Sequence, residues 1–178
     1  MKYVRLNGEA VRSTMNGEKT QLRFAVKNSA DFDGMLTEAV GEDGCLLLGG
    51  EVIKPPFDVG SIIAVRETWA RNPFGDGYIY PTEICGAGQK WEPSTRMPKE
   101  AARIYLRVTN VRVERLQDIT LEDIEREGIW PSGTFFPRED FAERYDRSLS
   151  KKKREMYSWN KNPLVWVVTF ETCEKPEV

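Results

Sequence analysis

Histidine is absent from the 178 residues. That removes the commonest acid/base near neutral pH and the commonest metal ligand, and it excludes Ser-His-Asp and Cys-His catalysis. Cysteine is scarce: Cys45, Cys85 and Cys173 lie far apart, with no C-x-x-C pair. A zinc site would have to be gathered from scattered cysteines and carboxylates, so no metal and no other cofactor is expected. An odd thiol count with no secretory signal points to reduced cysteines and a cytoplasmic protein. No apolar run approaches the ~20 residues of a membrane helix; the longest, Leu164 to Val168, is strand-sized. Positive charge is not in excess either, the net being −2. Any nucleic-acid contact must therefore rest on local basic patches.

What is present suits one α+β domain with a packed core: 40% of residues are hydrophobic and 30% charged. The domain is expected over residues 1–172, with insertions at about 28–56 and 70–98 and a tail at 173–178. Tyr3 to Leu6 reads as a short strand and Gly8 to Asn16 as a short helix stopped at Asn16-Gly17. Thr20 to Val26 alternates, with Leu22, Phe24 and Val26 on one face and Gln21 and Arg23 on the other. The stretch from Asn28 to Pro56 is a hairpin or loop excursion around Cys45-Leu46-Leu47-Leu48. Ser61 to Arg66 follows the Val59-Gly60 turn as a strand leading into Glu67-Thr68-Trp69. The next segment is a long loop with a short strand at Tyr78 to Tyr80. Arg103 to Leu116 is the clearest strand. Its apolar parity switches between Val108 and Val111, which predicts a bulge near Thr109-Asn110. Thr120 opens a short helix closed by Gly128. A second helix spans Arg138 to about Leu149, with Phe141, Tyr145 and Leu149 on one face. Leu164 to Phe170 is a last strand, apolar on both faces.

Several segments taken in order resemble a known pattern: Asn16-Gly17-Glu18-Lys19-Thr20-Gln21, Val59-Gly60, Val65-Arg66-Glu67-Thr68-Trp69, Met97-Pro98, Leu106-Arg107-Val108-Thr109, Val113 through Thr120, and Asn162 through Phe170. The set resembles the phage- and prophage-associated ASCH-domain proteins of the PUA-like group. The resemblance implies a β-barrel with short flanking helices, and binding of RNA or modified nucleotides. One branch of the group hydrolyses the amide of N4-acetylcytidine with a Lys-Thr-Glu set. Carried over, its lysine falls on Lys19 and its glutamate on Glu127, while the nucleophilic threonine falls on Leu22 and a nearby arginine on Phe24. Leucine offers no nucleophile, which leaves Thr20 as the one hydroxyl close by. A histidine common before the Met-Pro step is here Arg96.

The leading expectation is thus a module binding RNA, another single-stranded nucleic acid or a modified nucleoside. Its candidate contacts are Lys19, Arg23, Arg66, Glu67, Trp69, Arg96, Arg103 and Arg107. Trp69 reads either as core or as a platform for a base. The arginines at 103, 107, 112 and 115 read either as a solvated strand face or as a phosphate track. Lys151 to Lys161, with five basic residues, one acid, Tyr157 and Trp159, is a solvated helix end or a single-strand contact. Two rival functions stand beside this one: an amidohydrolase using Lys19, Glu127 and Thr20 on an acylated nucleoside, and an accessory protein that docks a protein partner through its insertions. Glu127 at the end of its helix opposes the helix dipole, a local cost that hints at a use. Topology suggests that Lys19, Arg66 and Trp69 converge on one cleft with Glu127 at its edge.

Overall fold

The computed structural model describes residues 1–27, 29, 45–48, 50–83, 88–129 and 136–176. Its strands are β1 (Lys2–Arg5), β2 (Gln21–Ala25), β3 (Leu46–Leu48), β4 (Glu51–Ile53), β5 (Ile62–Arg66), β6 (Ala70–Arg71), β7 (Tyr78–Ile79), β8 (Tyr105–Arg115) and β9 (Leu164–Cys173). The helices are α1 (Gly8–Met15), α2 (Leu121–Arg126), α3 (Pro137–Ser148) and α4 (Lys151–Tyr157). Asn7 caps α1 by accepting from the Ala10 amide, and Thr120 caps α2 by accepting from the Asp123 amide. Gly17 and Gly128 end these two helices with φ of 76° and 78°, a region open to glycine at little cost.

Five strands form one sheet in the order β1-β5-β8-β9-β2, with β1 parallel to β5 and the other pairs antiparallel. Between Val108 and Asn110 the β8–β9 register shifts. The extra residue returns Val111 and Val113 to the side of Leu106 and Val108, as the switch of parity predicts. Inner-face residues of all five strands, from Val4 and Leu22 at the two edges to Ile63, Leu106 and Val168 between them, share one core with Val11 and Phe57. The sheet therefore curls around this core. No hydrogen-bonded pairing joins β1 to β2 among the described residues, so the expected barrel is a curled sheet rather than a closed one.

The outer face of β9 is buried too. Val165 and Val167 pack against Leu116, Ile119, Ile124, Ile129, Phe141 and Tyr145, which belong to the turn after β8, to α2 and its end, and to α3. This second layer explains why the last strand carries no polar alternation. A third cluster covers β5 and the start of β8: Trp69, Tyr80, Met97, Ala101 and Tyr105 surround Ala64. Within the two expected insertions, β3 and β4 make a hairpin that begins in the Cys45–Leu48 patch, and β6 and β7 make another. Residues 28, 30–44, 49 and 84–87 of those insertions lie outside the described residues, as do 177–178 of the tail.

Candidate functional site

On β2, the alternation that sends Leu22 inward sends Gln21 and Arg23 outward, beside Lys19. On α2, Asp123 and Glu127 lie four residues apart and so share a face. An antiparallel bridge between Lys19 and Glu127 brings the two together. Gly128 makes this approach possible: a Cβ there would stand 3.0 Å from the Cβ atoms of both Lys19 and Ser13.

The result is a buried ionic network. Lys19 Nζ donates to Glu127 Oε2 at 2.6 Å and to the Glu127 carbonyl at 2.8 Å. Arg23 Nη1 donates to Glu127 Oε1 at 2.8 Å and Nη2 to Glu114 Oε1 at 2.8 Å, with Asp123 Oδ2 3.3 Å away. Gln21 Nε2 donates to Asp123 Oδ1 at 2.9 Å, and Arg112 Nη2 donates to Asp123 Oδ2 at 2.8 Å. Three cations thus face three carboxylates. Burial is graded, from an Arg23 side chain 1% exposed to an Arg112 side chain 35% exposed; the network meets solvent on the Arg112 side. Phe141 lies against the Arg23 guanidinium, 5.7 Å from its ring centroid. Burial by itself would raise the Asp123 carboxyl. The hydrogen bond from Gln21 and the charges of Arg112 and Arg23 outweigh it and hold the group below its ordinary value. Burial likewise opposes the Arg23 charge, and Glu127 and Glu114 more than restore it.

Two donors in this region have no partner among the described residues: Arg23 Nε and the Tyr145 hydroxyl. Burial pushes the Tyr145 phenol far up, with Arg23 and Glu127 close enough to act on it. The tyrosine is therefore a neutral donor at any ordinary pH.

Glu127 meets the sequence hint in an unexpected way. Its carboxylate does stand at the C-terminal end of α2, but Lys19 sits on that same end and offsets the dipole. The two positions matched to the threonine and arginine of the hydrolase lie away from this network. Leu22 is in the inner core and Phe24 packs edge-on against Phe57 at 5.5 Å; the side chains that meet Glu127's network are Gln21 and Arg23. Thr20 shares the parity of Leu22, away from Lys19, and its backbone is taken up by Arg126 and Phe170.

The expected single cleft is not built. Arg66 lies on β5, with β8 and β9 between it and β2, and its guanidinium covers the Tyr3 ring at 4.3 Å. Trp69 is 8% exposed and packs edge-on against Tyr78, so it is core rather than a free platform. Glu67 is buried and holds Arg103 in a two-pronged ion pair at 2.9 and 3.1 Å; Glu83 and Thr82 complete that clamp, and Tyr80 stacks on it at 3.9 Å. Arg103 is thus no part of a phosphate track. Arg107 is exposed and 3.7 Å from Glu171. Arg96 is exposed, pairs with Glu92 at 3.3 Å, and lines an open cleft of about 470 Å³ with Trp69, Ala70, Arg71, Gln89, Lys90 and Glu92. In the basic segment, α4 is solvated while Trp159 packs on Phe141 at 5.9 Å and donates to Asp146. Sequence reasoning missed Gln21, Glu114 and Asp123 as members of the network with Lys19 and Arg23, and Tyr145 as an unpartnered hydroxyl near it. A signal was there: a polar strand face with two cations opposite helix carboxylates at i and i+4.

Among the described residues no group of three acidic or thiol side chains could hold a metal ion. No described helix is long and apolar enough to cross a membrane.

No family model matches the chain, and no curated protein does. Solved structures do. A crystal structure of an ASCH domain from Lactobacillus crispatus aligns with a TM-score of 0.50 at 9% identity, covering 98% of this chain and 81% of that one. Protein EF3133 from Enterococcus faecalis, described under family DUF984, aligns with a TM-score of 0.50 at 11% identity and the same coverage. The fold is similar to that of an ASCH domain. At these identities the likeness concerns the fold alone, so the ASCH-like chain has to be read for function from its own side chains.

Proposed function

We propose that this ASCH-like chain, of the phage- and prophage-associated type by its sequence, binds nucleic acid, and that a base of RNA or a modified nucleoside is held at the Lys19–Arg23–Glu127 network. The observation that carries this is the network's composition. Equal numbers of cations and carboxylates, with Gln21 among them, offer mixed donors and acceptors. That mixture suits the edge of a neutral heterocycle better than it suits a phosphate. Arg112 and Glu114 form the entrance, and Arg23 Nε and the Tyr145 hydroxyl are the donors in reserve.

The test is a binding screen of the pure protein against RNA, single-stranded DNA and free nucleosides, N4-acetylcytidine included, at two salt concentrations. Free nucleoside should compete for the network, with affinity nearly independent of salt because a nucleoside carries no phosphate and releases no counterions. Binding of RNA alone, with a steep salt slope and no competition from any nucleoside, would overturn the reading.

One contact favours the hydrolytic alternative: a lysine amine 2.6 Å from a glutamate is the pairing an amide hydrolysis would start from. The face they occupy carries an amide, Gln21, and no hydroxyl follows Lys19 on that parity, so recognition without turnover is the better account.

A further inference from the structure

The β6–β7 hairpin and the cleft beside it hold an exposed ring and two cations with no ion pair among the described residues, and the Lys19 network uses none of them. Phe74 is 96% exposed at the hairpin tip. It is not on a slack loop: its amide donates to Asn72 Oδ1 at 3.0 Å, and the Asn72 amide donates to the Gly77 carbonyl at 3.1 Å. Gly77, with φ of 98°, gives the turn a conformation that other residues rarely adopt. The ring is thereby held outward.

Three residues before Phe74, at most ~10 Å along the chain, Arg71 enters the open cleft with Lys90 and Arg96. Glu92 is the one carboxylate of the lining and is already engaged by Arg96. Arg71 and Lys90 form no ion pair among the described residues, in contrast to Arg23, Arg103 and Arg112. The bridge between Trp69 and Glu92 fixes the two sides of the cleft to each other.

We propose that this hairpin and cleft form a contact surface for single-stranded nucleic acid, with Phe74 stacking on a base and Arg71, Lys90 and Arg96 taking the phosphates. An outward aromatic beside three cations, of which only Arg96 is ion-paired among the described residues, matches a chain that presents ring faces and phosphates alternately. A duplex keeps its bases stacked on each other and offers Phe74 no free face. The surface shares no residue with the Lys19 network. It adds a second region of binding to the nucleic-acid reading, and it stands or falls separately from nucleoside binding at the network.

Anisotropy of a labelled oligouridylate, measured at two salt concentrations, tests it. Phe74→Ala should weaken binding roughly 5- to 150-fold with the salt slope unchanged. Arg71→Glu with Lys90→Glu should weaken binding and lower the slope by about 0.7 for each phosphate no longer neutralised. All three positions are on the surface, so the fold is not at stake, and nucleoside binding at the network should be the same in every variant. Equal oligouridylate affinity across wild type and variants would overturn the proposal. So would duplex RNA bound as tightly as the single strand, or oligouridylate left unbound by the wild type while a protein is captured through Phe74.

Discussion

Lys19 reaches 108 residues along the chain to put its amine 2.6 Å from the Glu127 carboxylate and 2.8 Å from the Glu127 carbonyl. One ammonium thus serves as ion-pair partner and as cap for the last turn of α2. Lys19→Met should remove both and leave Glu127 buried against Arg23 alone. Breaking a buried pair from one side costs ~3–5 kcal/mol. Urea denaturation should show that loss, and Glu127→Gln, which keeps the hydrogen-bonding shape, should lose less. Equal stability of Lys19→Met and wild type would mean that the pair is not formed in solution.

Gly128 allows that approach, and its replacement should be felt twice. At φ of 78° an alanine is strained, and its Cβ would press on Lys19 and Ser13 at 3.0 Å. Gly128→Ala is expected to destabilise by about 1–3 kcal/mol. A shift in melting temperature of the opposite sign would contradict the geometry.

Acid should loosen the network from the Asp123 side. The Asp123 carboxyl is lowered in the folded chain, because the Gln21 hydrogen bond and the Arg112 and Arg23 charges overcome the effect of burial. The folded state therefore binds this proton less readily than the unfolded state. The stabilisation is present above the ordinary carboxylate pKa and is lost as pH falls through the lowered folded value. Asp123→Asn should be less stable than wild type at neutral pH and less sensitive to acid. Parallel acid-unfolding curves for the two proteins would refute this.

Much of the fold is legible in the sequence because it is local. The parity switch between Val108 and Val111 marks the bulge, Thr120 marks the start of α2, and Phe141 and Tyr145 mark the buried face of α3. The site is less legible because it depends on what covers each face. Trp69 looks available in the chain, yet Tyr80, Met97, Ala101 and Ala102 pack around it. Arg103 looks like part of a basic stripe, but Glu67, far away in sequence, clamps it. Arg66 and Lys19 both end short elements, and only the strand order, with β8 and β9 between β5 and β2, shows that they do not meet. Glu127 is readable as a residue out of place; its partner Lys19 supplies the reason.

Tyr145 separates a structural role from a binding role. Its hydroxyl has no partner among the described residues, so Tyr145→Phe breaks no hydrogen bond among them. Stability should change by less than about 1 kcal/mol or rise slightly. If the hydroxyl meets a bound nucleoside, affinity should fall roughly 2- to 10-fold. Calorimetric titration beside thermal unfolding reads both. A variant that loses stability but binds normally would place the hydroxyl in the fold and not in the site.

The most direct test of nucleoside recognition at the network is to follow the arginine side-chain nitrogen resonances during titration with free cytidine and N4-acetylcytidine. Arg23 Nε has no partner among the described residues and Arg112 is the most exposed member of the network. The account predicts that both signals shift together and saturably with at least one of the two nucleosides, while the Arg103 signal, locked by Glu67, stays in place. Saturable binding that leaves Arg23 and Arg112 unmoved, or no binding of either nucleoside, would contradict it.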